Sequence, residues 1–312
     1  MAIFETILIV GGGLIGSSIA RAARKGAAAK TILMADKNPK VCEAISRLGI
    51  ADDVSTHATD LALRADLVIL CVPPGQMGGA AKDVIPAMRS GTILTDVGSV
   101  KEKIISAIAP VLGGVTFIPA HPIAGTEYSG PEAGFATLFE DKWCIITPQN
   151  SSAESEGNIT SGPSDAADLV AQFWSAMGSN IAFMTPQRHD LVLATTSHVP
   201  HLIAYTLVGT AVDMEAVTQN EVVKFSAGGF RDFTRIAASD PVMWRDVFLD
   251  NSESVLEVVD RFIEDLSALK RAIRWKEGDI LLEHFAKTRD IRTKIVDAGQ
   301  DSAAANFGRK DS

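Results

Sequence analysis

Residues 6–18 read TILIVGGGLIGSS. The apolar run Thr6–Val10 passes directly into Gly11-Gly12-Gly13, and an Ala-rich segment, Leu14–Lys25, follows. An uninterrupted apolar run of this kind fits a parallel strand buried on both faces. Gly11, Gly13 and Gly16 form G-x-G-x-x-G at the strand-to-helix junction. Each glycine answers a different need: the first permits a tight turn, the second lets a pyrophosphate approach the backbone, and the third lets the helix pack on the strand. The first helical turn, with Leu14 and Ile15, then offers N–H groups and partial positive charge to phosphate. Twenty residues beyond Gly16, Asp36 closes the next strand-like run, Thr31–Asp36. An acid at that spacing holds the ribose hydroxyls of a dinucleotide. Its charge repels a 2′-phosphate, which favours NAD over NADP, although the adjacent Lys37 offsets part of that repulsion. Read alone, a Gly-rich turn and a surface aspartate would explain the same letters. The strand before and the helix after them favour the dinucleotide.

Working outward, further strand-like runs are Leu67–Val72, Thr92–Val97, Val115–Ala120 and Trp143–Thr147, with Asn180–Met184 as a last edge strand. Helix-like segments lie between them, including Pro39–Leu48 and Gln76–Met88. Strand–helix alternation predicts a doubly wound, Rossmann-like parallel sheet. Ligands gather at the carboxyl edge of such a sheet, so Cys71, Val72 and Pro73 are candidates for cofactor contact, with a plain strand end as the alternative. Asn150–Ser164 is polar and rich in Ser and Gly, and reads as a linker or flexible loop. From about Pro186 helical periodicity takes over, and Asn251–Arg274 carries one apolar stripe. The expected organisation is a nucleotide-binding domain over residues 1–186, an all-α domain over 187–300 and a disordered tail over 301–312.

The chain has 312 residues and a formal net charge of -9. An acidic balance disfavours nucleic acid as a partner. The three cysteines are far apart and form no CxxC, so neither a disulfide framework nor a zinc ribbon is expected. His189, His198 and His201 lack a carboxylate cluster at ligand spacing, and no metal site is expected. The N-terminal residues do not read as a signal peptide, and no segment is expected to span a membrane, which points to the cytoplasm.

Two short stretches follow strands at the same sheet edge: DVGSVK, residues 96–101, and HPIAGTE, residues 121–127. Imidazole titrates near neutral pH, so His121 can take a proton while a nicotinamide takes a hydride. The Ser99 hydroxyl can hold substrate or imidazole. A solitary histidine in a turn is as readily explained by packing.

VGGGLIGSS, DVGSVK, HPIAGTE, SHVPH and GGFRDFTRIAASDPVMWRD occur in that order. Together they resemble the cyclohexadienyl (prephenate/arogenate) dehydrogenases over about residues 6–275. The resemblance implies NAD-dependent oxidative decarboxylation of prephenate and/or arogenate in tyrosine biosynthesis. It implies that His121 is the catalytic base and that Ser99 helps place the ring hydroxyl and the histidine. Arg235 matches an arginine that binds a substrate carboxylate, and His201 a histidine lining the substrate site. Trp244 matches a pocket tryptophan, Gly228 and Gly229 the loop beside it, and Asp190 an aspartate near the site. Arginine suits such a role because its planar fork matches a carboxylate. A homodimer formed by the helical halves is also implied, although the stripe of Asn251–Arg274 fits internal packing equally well. No fused mutase or regulatory domain is expected, because helical segments already use the residues after 250.

Two other classes compete. A 3-hydroxyacid dehydrogenase would rely on a catalytic lysine, and the context of Lys224 does not match one. A non-catalytic NAD sensor would have no reason to hold Ser99, His121 and Arg235 together.

Overall fold

A computed structural model describes residues 2–126, 128–148, 165–218, 224 and 226–297. The polar stretch Asn150–Ser164, the 301–312 tail and Glu127 lie outside the described residues. Six strands make one parallel sheet: β1 (Phe4–Val10), β2 (Ala29–Ala35), β3 (Asp53–Ser55), β4 (Leu67–Leu70), β5 (Ile93–Asp96) and β6 (Thr116–Ile118). Their spatial order is β3-β2-β1-β4-β5-β6. The order reverses at β1, which pairs with β2 on one side and β4 on the other. Val10 therefore ends its strand beside both Ala35 and Leu70, and the crevice beyond these ends is where an open α/β sheet binds its ligand.

The apolar runs are continuous because alternate residues serve opposite faces. Ile7, Ile9, Ile32, Met34 and Ile69 pack on one side with Phe173 and Trp174 of the helix Asp165–Ala176. Leu8, Val10, Leu33, Val68 and Leu70 pack on the other with Met77, Ala81 and Val84 of the helix Met77–Val84. Trp244 and Val247 join this second cluster, so the helix Pro241–Asp250 is built into the core of the nucleotide half. Truncating a fully buried residue such as Ile9 to alanine is expected to cost about 2–5 kcal/mol.

Three strand expectations change. Val115–Ala120 is not one strand: β6 stops at Ile118, and β7 (Ala120–Pro122) begins a second sheet. Pro119, which has no N–H to give to a ladder, stands at the break. The runs near 143 and 180 become β8 (Trp143–Ile146) and β9 (Asn180–Phe183), which join β7 in that smaller sheet rather than extending the first. β9 is an edge strand there. β3, only three residues long and led by an aspartate, carries no apolar pattern by which to recognise it.

Beyond Met184 the described residues are helical apart from short connections. Thr185 caps the helix Pro186–Leu193, its hydroxyl accepting the Arg188 N–H at 3.2 Å. A π-helical turn, Ala194–His198, then leads into the helix Val199–Thr218. Pro200 accounts for that wider turn: it has no N–H to close the ordinary helical ring, and the backbone accommodates the missing bond. The run Pro186–Met214 is long and apolar enough to cross a membrane by length and composition, contrary to the sequence expectation. Its apolar residues cover more than the inward face, and 28% of its most apolar window is buried in the chain. By packing, the chain divides into two compact units, Met1–Val255 and Leu256–Ser312. The residues discussed below belong to the first.

Candidate active site

The turn between β1 and the helix Leu14–Lys25 is shaped as a phosphate cradle. Gly11 has φ +108°, and a Cβ there would lie 2.5 Å from the Cys71 carbonyl oxygen. A Cβ on Gly16 would collide with the Gly11 carbonyl. At Gly13, which opens the helix, a Cβ would meet open space. No side chain caps that helix, so its first N–H groups stay available to an anion. Leu14 and Ile15 are half-buried against the core of the first sheet face. Asp36 follows β2, and its two carboxylate oxygens accept the Gly12 and Asn38 N–H groups, each at 2.8 Å. Lys37 turns its ammonium to Asp83 instead, at 3.3 Å. Cys71 and Val72, just past the end of β4, border the cradle at Gly11, and Pro73 follows them in the chain. This donor set fits NAD: glycines where backbone must approach phosphate, free helix N–H groups, and a fixed carboxylate for ribose.

His121 lies in β7 and is 9% exposed. A buried ion pair ties its strand to the nucleotide sheet. Lys101 Nζ donates to Asp96 Oδ2 at 2.5 Å and to the Ala120 carbonyl at 2.8 Å. The Asp96 carboxylate also accepts the Gly98 N–H at 2.8 Å and the Ala120 N–H at 3.3 Å. The end of β5 is thereby joined to the residue preceding His121.

On its other side, His121 Nδ1 meets His189 Nε2 at 2.9 Å. His189 Nδ1 lies 2.7 Å from Asp190 Oδ1. Asp190 also accepts the Lys101 N–H at 2.8 Å and the Glu102 N–H at 2.9 Å, at the start of the helix Glu102–Ile108. Burial holds His121 and His189 well below the ordinary imidazole range, and the Lys101 charge reinforces this. For His121, a positive charge on the neighbouring His189 would add to the effect. Burial moves Asp190 upward from the usual carboxylate range, while the two backbone N–H groups oppose it. His198 is pushed down to about 4, chiefly by burial. Its ring faces the Ser99 carbonyl and lies 3.1 Å from Asn251 Nδ2, which also donates to the Asp190 carbonyl at 2.8 Å.

A second group adjoins through His198, whose ring packs edge-on against Trp244. His201 stacks on Trp244 with centroids 3.7 Å apart and an interplanar angle of 23°. Its Nδ1 donates to the Ser197 carbonyl at 2.8 Å. The exposed Arg235 follows the helix Gly228–Thr234 and lies close enough to help depress the His201 pKa, an effect led by burial. Gly228 and Gly229 form the first turn of that helix. The helix carrying Trp244 also touches the loop after β4: a Cβ on Gly75 would lie 3.0 Å from the Asp246 carboxylate.

The structure thus brings His121, His201, Trp244 and Arg235 into one connected neighbourhood. Two expectations shift. The half-buried Ser99 makes no side-chain hydrogen bond among the described residues, and it is His189 that pairs with His121. Asp190 is 1% exposed with both carboxylate oxygens taken by Lys101, Glu102 and His189, so its carboxylate is turned away from any substrate. Sequence reasoning gave no role to Lys101, although it ends the DVGSVK motif, or to His189, whose one signal was its place beside Asp190. Among the described residues no cluster is arranged to hold a metal ion.

A dinucleotide cradle at a sheet switch point, with a buried imidazole at the same edge, defines a nicotinamide-dependent dehydrogenase. Two family models match in sequence order: the prephenate dehydrogenase nucleotide-binding domain over residues 19–161 and the prephenate dehydrogenase dimerization domain over residues 185–287. The chain is 41% identical to the cyclohexadienyl dehydrogenase of Zymomonas mobilis, across 95% of this chain and 97% of that one. It is 31% identical to the prephenate dehydrogenase of Bacillus subtilis, across 92% and 75% respectively. A prephenate dehydrogenase from A. aeolicus, crystallised with hydroxyphenyl propionate and NAD+, superposes with a TM-score of 0.84 at 34% identity, over 93% of this chain and 98% of that one. The chain belongs to the prephenate dehydrogenase family, whose members carry out NAD-dependent oxidative decarboxylation in tyrosine biosynthesis.

Proposed function

We propose that the chain oxidatively decarboxylates prephenate and/or arogenate, releasing 4-hydroxyphenylpyruvate from the first or tyrosine from the second. The observation that carries this reading is His121, a buried neutral imidazole fixed by hydrogen bonds at the edge of the dinucleotide sheet. The net reaction removes a hydride from the ring carbinol carbon and carbon dioxide from the ring carboxylate, and the freed bonding pair completes the aromatic ring. Bound NAD supplies the hydride acceptor. Gly11, Gly13, Gly16 and the helix they open hold the pyrophosphate, and Asp36 holds the ribose. His121 accepts the hydroxyl proton as carbonyl character develops, which a neutral imidazole can do. Ser99, in the loop after β5, bonds the same hydroxyl. Arg235 pairs with a carboxylate, and the stacked His201 and Trp244 form an aromatic wall for the ring. Gly228 and Gly229 border this pocket, and Asp190 serves it from behind His189.

We place the division between a nucleotide-binding half and a helical half at residues 186/187. The helical half supports a homodimer. A dimerization-domain family model matches residues 185–287, which supports that interface. The exposed apolar face of Pro186–Met214 suits the same interface better than a lipid bilayer, because the run carries the buried Asp190 and two buried histidines. Three free cysteines suit the reducing cytoplasm.

The test is NADH formation with purified chain, NAD and either prephenate or arogenate. Turnover of one or both is expected. No turnover of either, in protein that binds NAD, would overturn the reading.

A further inference from the structure

Among the residues that no motif accounts for, His189 stands out. It is fully buried, it bonds at both ring nitrogens, and one partner is the residue assigned to the chemistry. We propose that His189, anchored by Asp190, is a positioning residue that fixes the tautomer of His121, leaving the His121 Nε2 lone pair free to take the substrate proton. The proposal rests on His121 being the base.

The hydrogen bonds run outward from the Asp190 carboxylate to His189 and on to His121. Asp190 accepts two backbone N–H groups, from Lys101 at 2.8 Å and Glu102 at 2.9 Å, so both its oxygens face donors. An ionised carboxylate can only accept. His189 Nδ1, 2.7 Å from Asp190 Oδ1, must therefore carry the proton of that bond. A neutral imidazole holds one N–H, so His189 Nε2 is bare. The His121 nitrogen 2.9 Å away must then donate, which puts the proton of neutral His121 on Nδ1. Nε2 becomes the basic nitrogen. It takes no hydrogen bond from the chain among the described residues, and His121 retains 9% exposure. The opposite tautomer would oppose two bare nitrogens in a buried site, losing the hydrogen bond at the cost of leaving both unsatisfied. This is the logic by which a buried carboxylate sets the imidazole of a Ser-His-Asp triad, here extended by a second imidazole. When His121 gains its proton, the same chain faces the new positive charge with a lone pair and, behind it, a carboxylate.

Several other titratable groups bear on His121. Lys101 and Asp96 approach from the end of β5, His198 from the π turn, and Cys144 from β8. Glu102 accepts from the Gln187 amide at the start of the helix Pro186–Leu193. Among the described residues, none of these hydrogen-bonds the His121 ring, whereas His189 does.

Three measurements on the NAD-loaded enzyme test this. Long-range nitrogen–proton correlation spectra of the wild type, with His121 assigned by its loss in His121→Asn, are expected to show the Nδ1–H tautomer; an Nε2–H tautomer overturns the proposal. His189→Leu removes the acceptor. Its kcat is expected to fall roughly 10²-fold, the scale of lost proton-transfer catalysis, while KM changes about threefold or less. The acid limb of kcat/KM should move to lower pH, because an imidazolium without its acceptor is harder to form. His189→Gln can accept from His121 and donate to Asp190, and should regain at least about tenfold of the loss. An unchanged kcat in His189→Leu, or equal losses in both variants with the pH profile unmoved, overturns the proposal. If His189→Leu does not fold, the wild-type spectrum and the His189→Gln variant still decide. An active His121→Asn would instead overturn the assignment of the base.

Discussion

Lys101 and Asp96 meet as an ion pair with neither side chain exposed, their N and O atoms 2.5 Å apart. The pair fastens the end of β5 to the strand of His121, since both partners also bond the Ala120 backbone. Its charge reaches further, because Lys101 helps keep His121 and His189 neutral. A buried pair of this kind owes its stability to being complete. Lys101→Met would strand the Asp96 carboxylate in the core, and we expect a loss of about 3–5 kcal/mol in urea unfolding. Combining it with Asp96→Asn should restore at least about 1 kcal/mol, because the stranded charge is gone. A double variant no more stable than Lys101→Met would show that the pair does not act as a unit.

His121→Asn keeps a polar side chain of similar reach but has no imidazole to take a proton. The expected result is a kcat at least ~10²-fold lower, with NAD affinity retained. Stopped-flow turnover and calorimetric NAD titration measure the two separately. Near wild-type turnover would remove His121 from the chemistry.

Arg235→Gln tests the other end of the substrate. Losing a charge-assisted bond to a carboxylate removes about 1.5–3 kcal/mol, roughly ten- to a hundredfold in KM. The cradle and His121 are untouched, so kcat should change less than KM. An unchanged KM would argue that a different cation holds the carboxylate.

Local pattern made much of this legible. Thr6–Val10, the three glycines and Asp36 announce the nucleotide half because each obeys a short-range rule of period, φ or spacing. Pro119 hid the change of sheet: Val115–Ala120 reads as one apolar run, and a proline inside it marks a break without saying that the second piece joins a different sheet. The pairing of His121 with His189 spans 68 positions and has no local signature. Asp190 was legible as belonging to the site, but its direction was not. That depends on the helix Glu102–Ile108 starting against it, which only packing determines.

Acid should weaken the fold through the same histidines that keep the site neutral. An unfolded imidazole binds its proton near pH 6.5, whereas His198 in the folded chain waits until about 4, and His121 and His189 are also held well below the usual range. In this window the unfolded state binds more protons, so stability falls as pH falls, by about 1.4 kcal/mol per pH unit for each such histidine. The raised pKa values of Asp96 and Asp190 act oppositely: these groups take up protons earlier when folded and soften the loss toward their unfolded range. The urea midpoint is therefore expected to drop between pH 7 and pH 5. A flat midpoint across that interval would mean that these imidazoles titrate normally in the folded chain.

Asp36 supplies the last test, of cofactor choice. Its carboxylate is held by Gly12 and Asn38, so its position does not depend on the ligand. A 2′-phosphate brought there would meet a fixed negative charge without an acceptor's usual partner, since Lys37 is turned to Asp83. Asp36→Ser removes the repulsion and keeps a group able to bond a hydroxyl. It should raise kcat/KM for NADP at least about tenfold, equivalent to 1.4 kcal/mol, and lower it for NAD, which loses a charged hydrogen-bond acceptor. Adding Asp83→Asn should free Lys37 and favour NADP further, although that surface pair is exposed enough for the second step to be small. If NADP use were unchanged in Asp36→Ser, the carboxylate would not be what separates the two cofactors, and the β1–β2 edge would have to exclude the phosphate by shape alone.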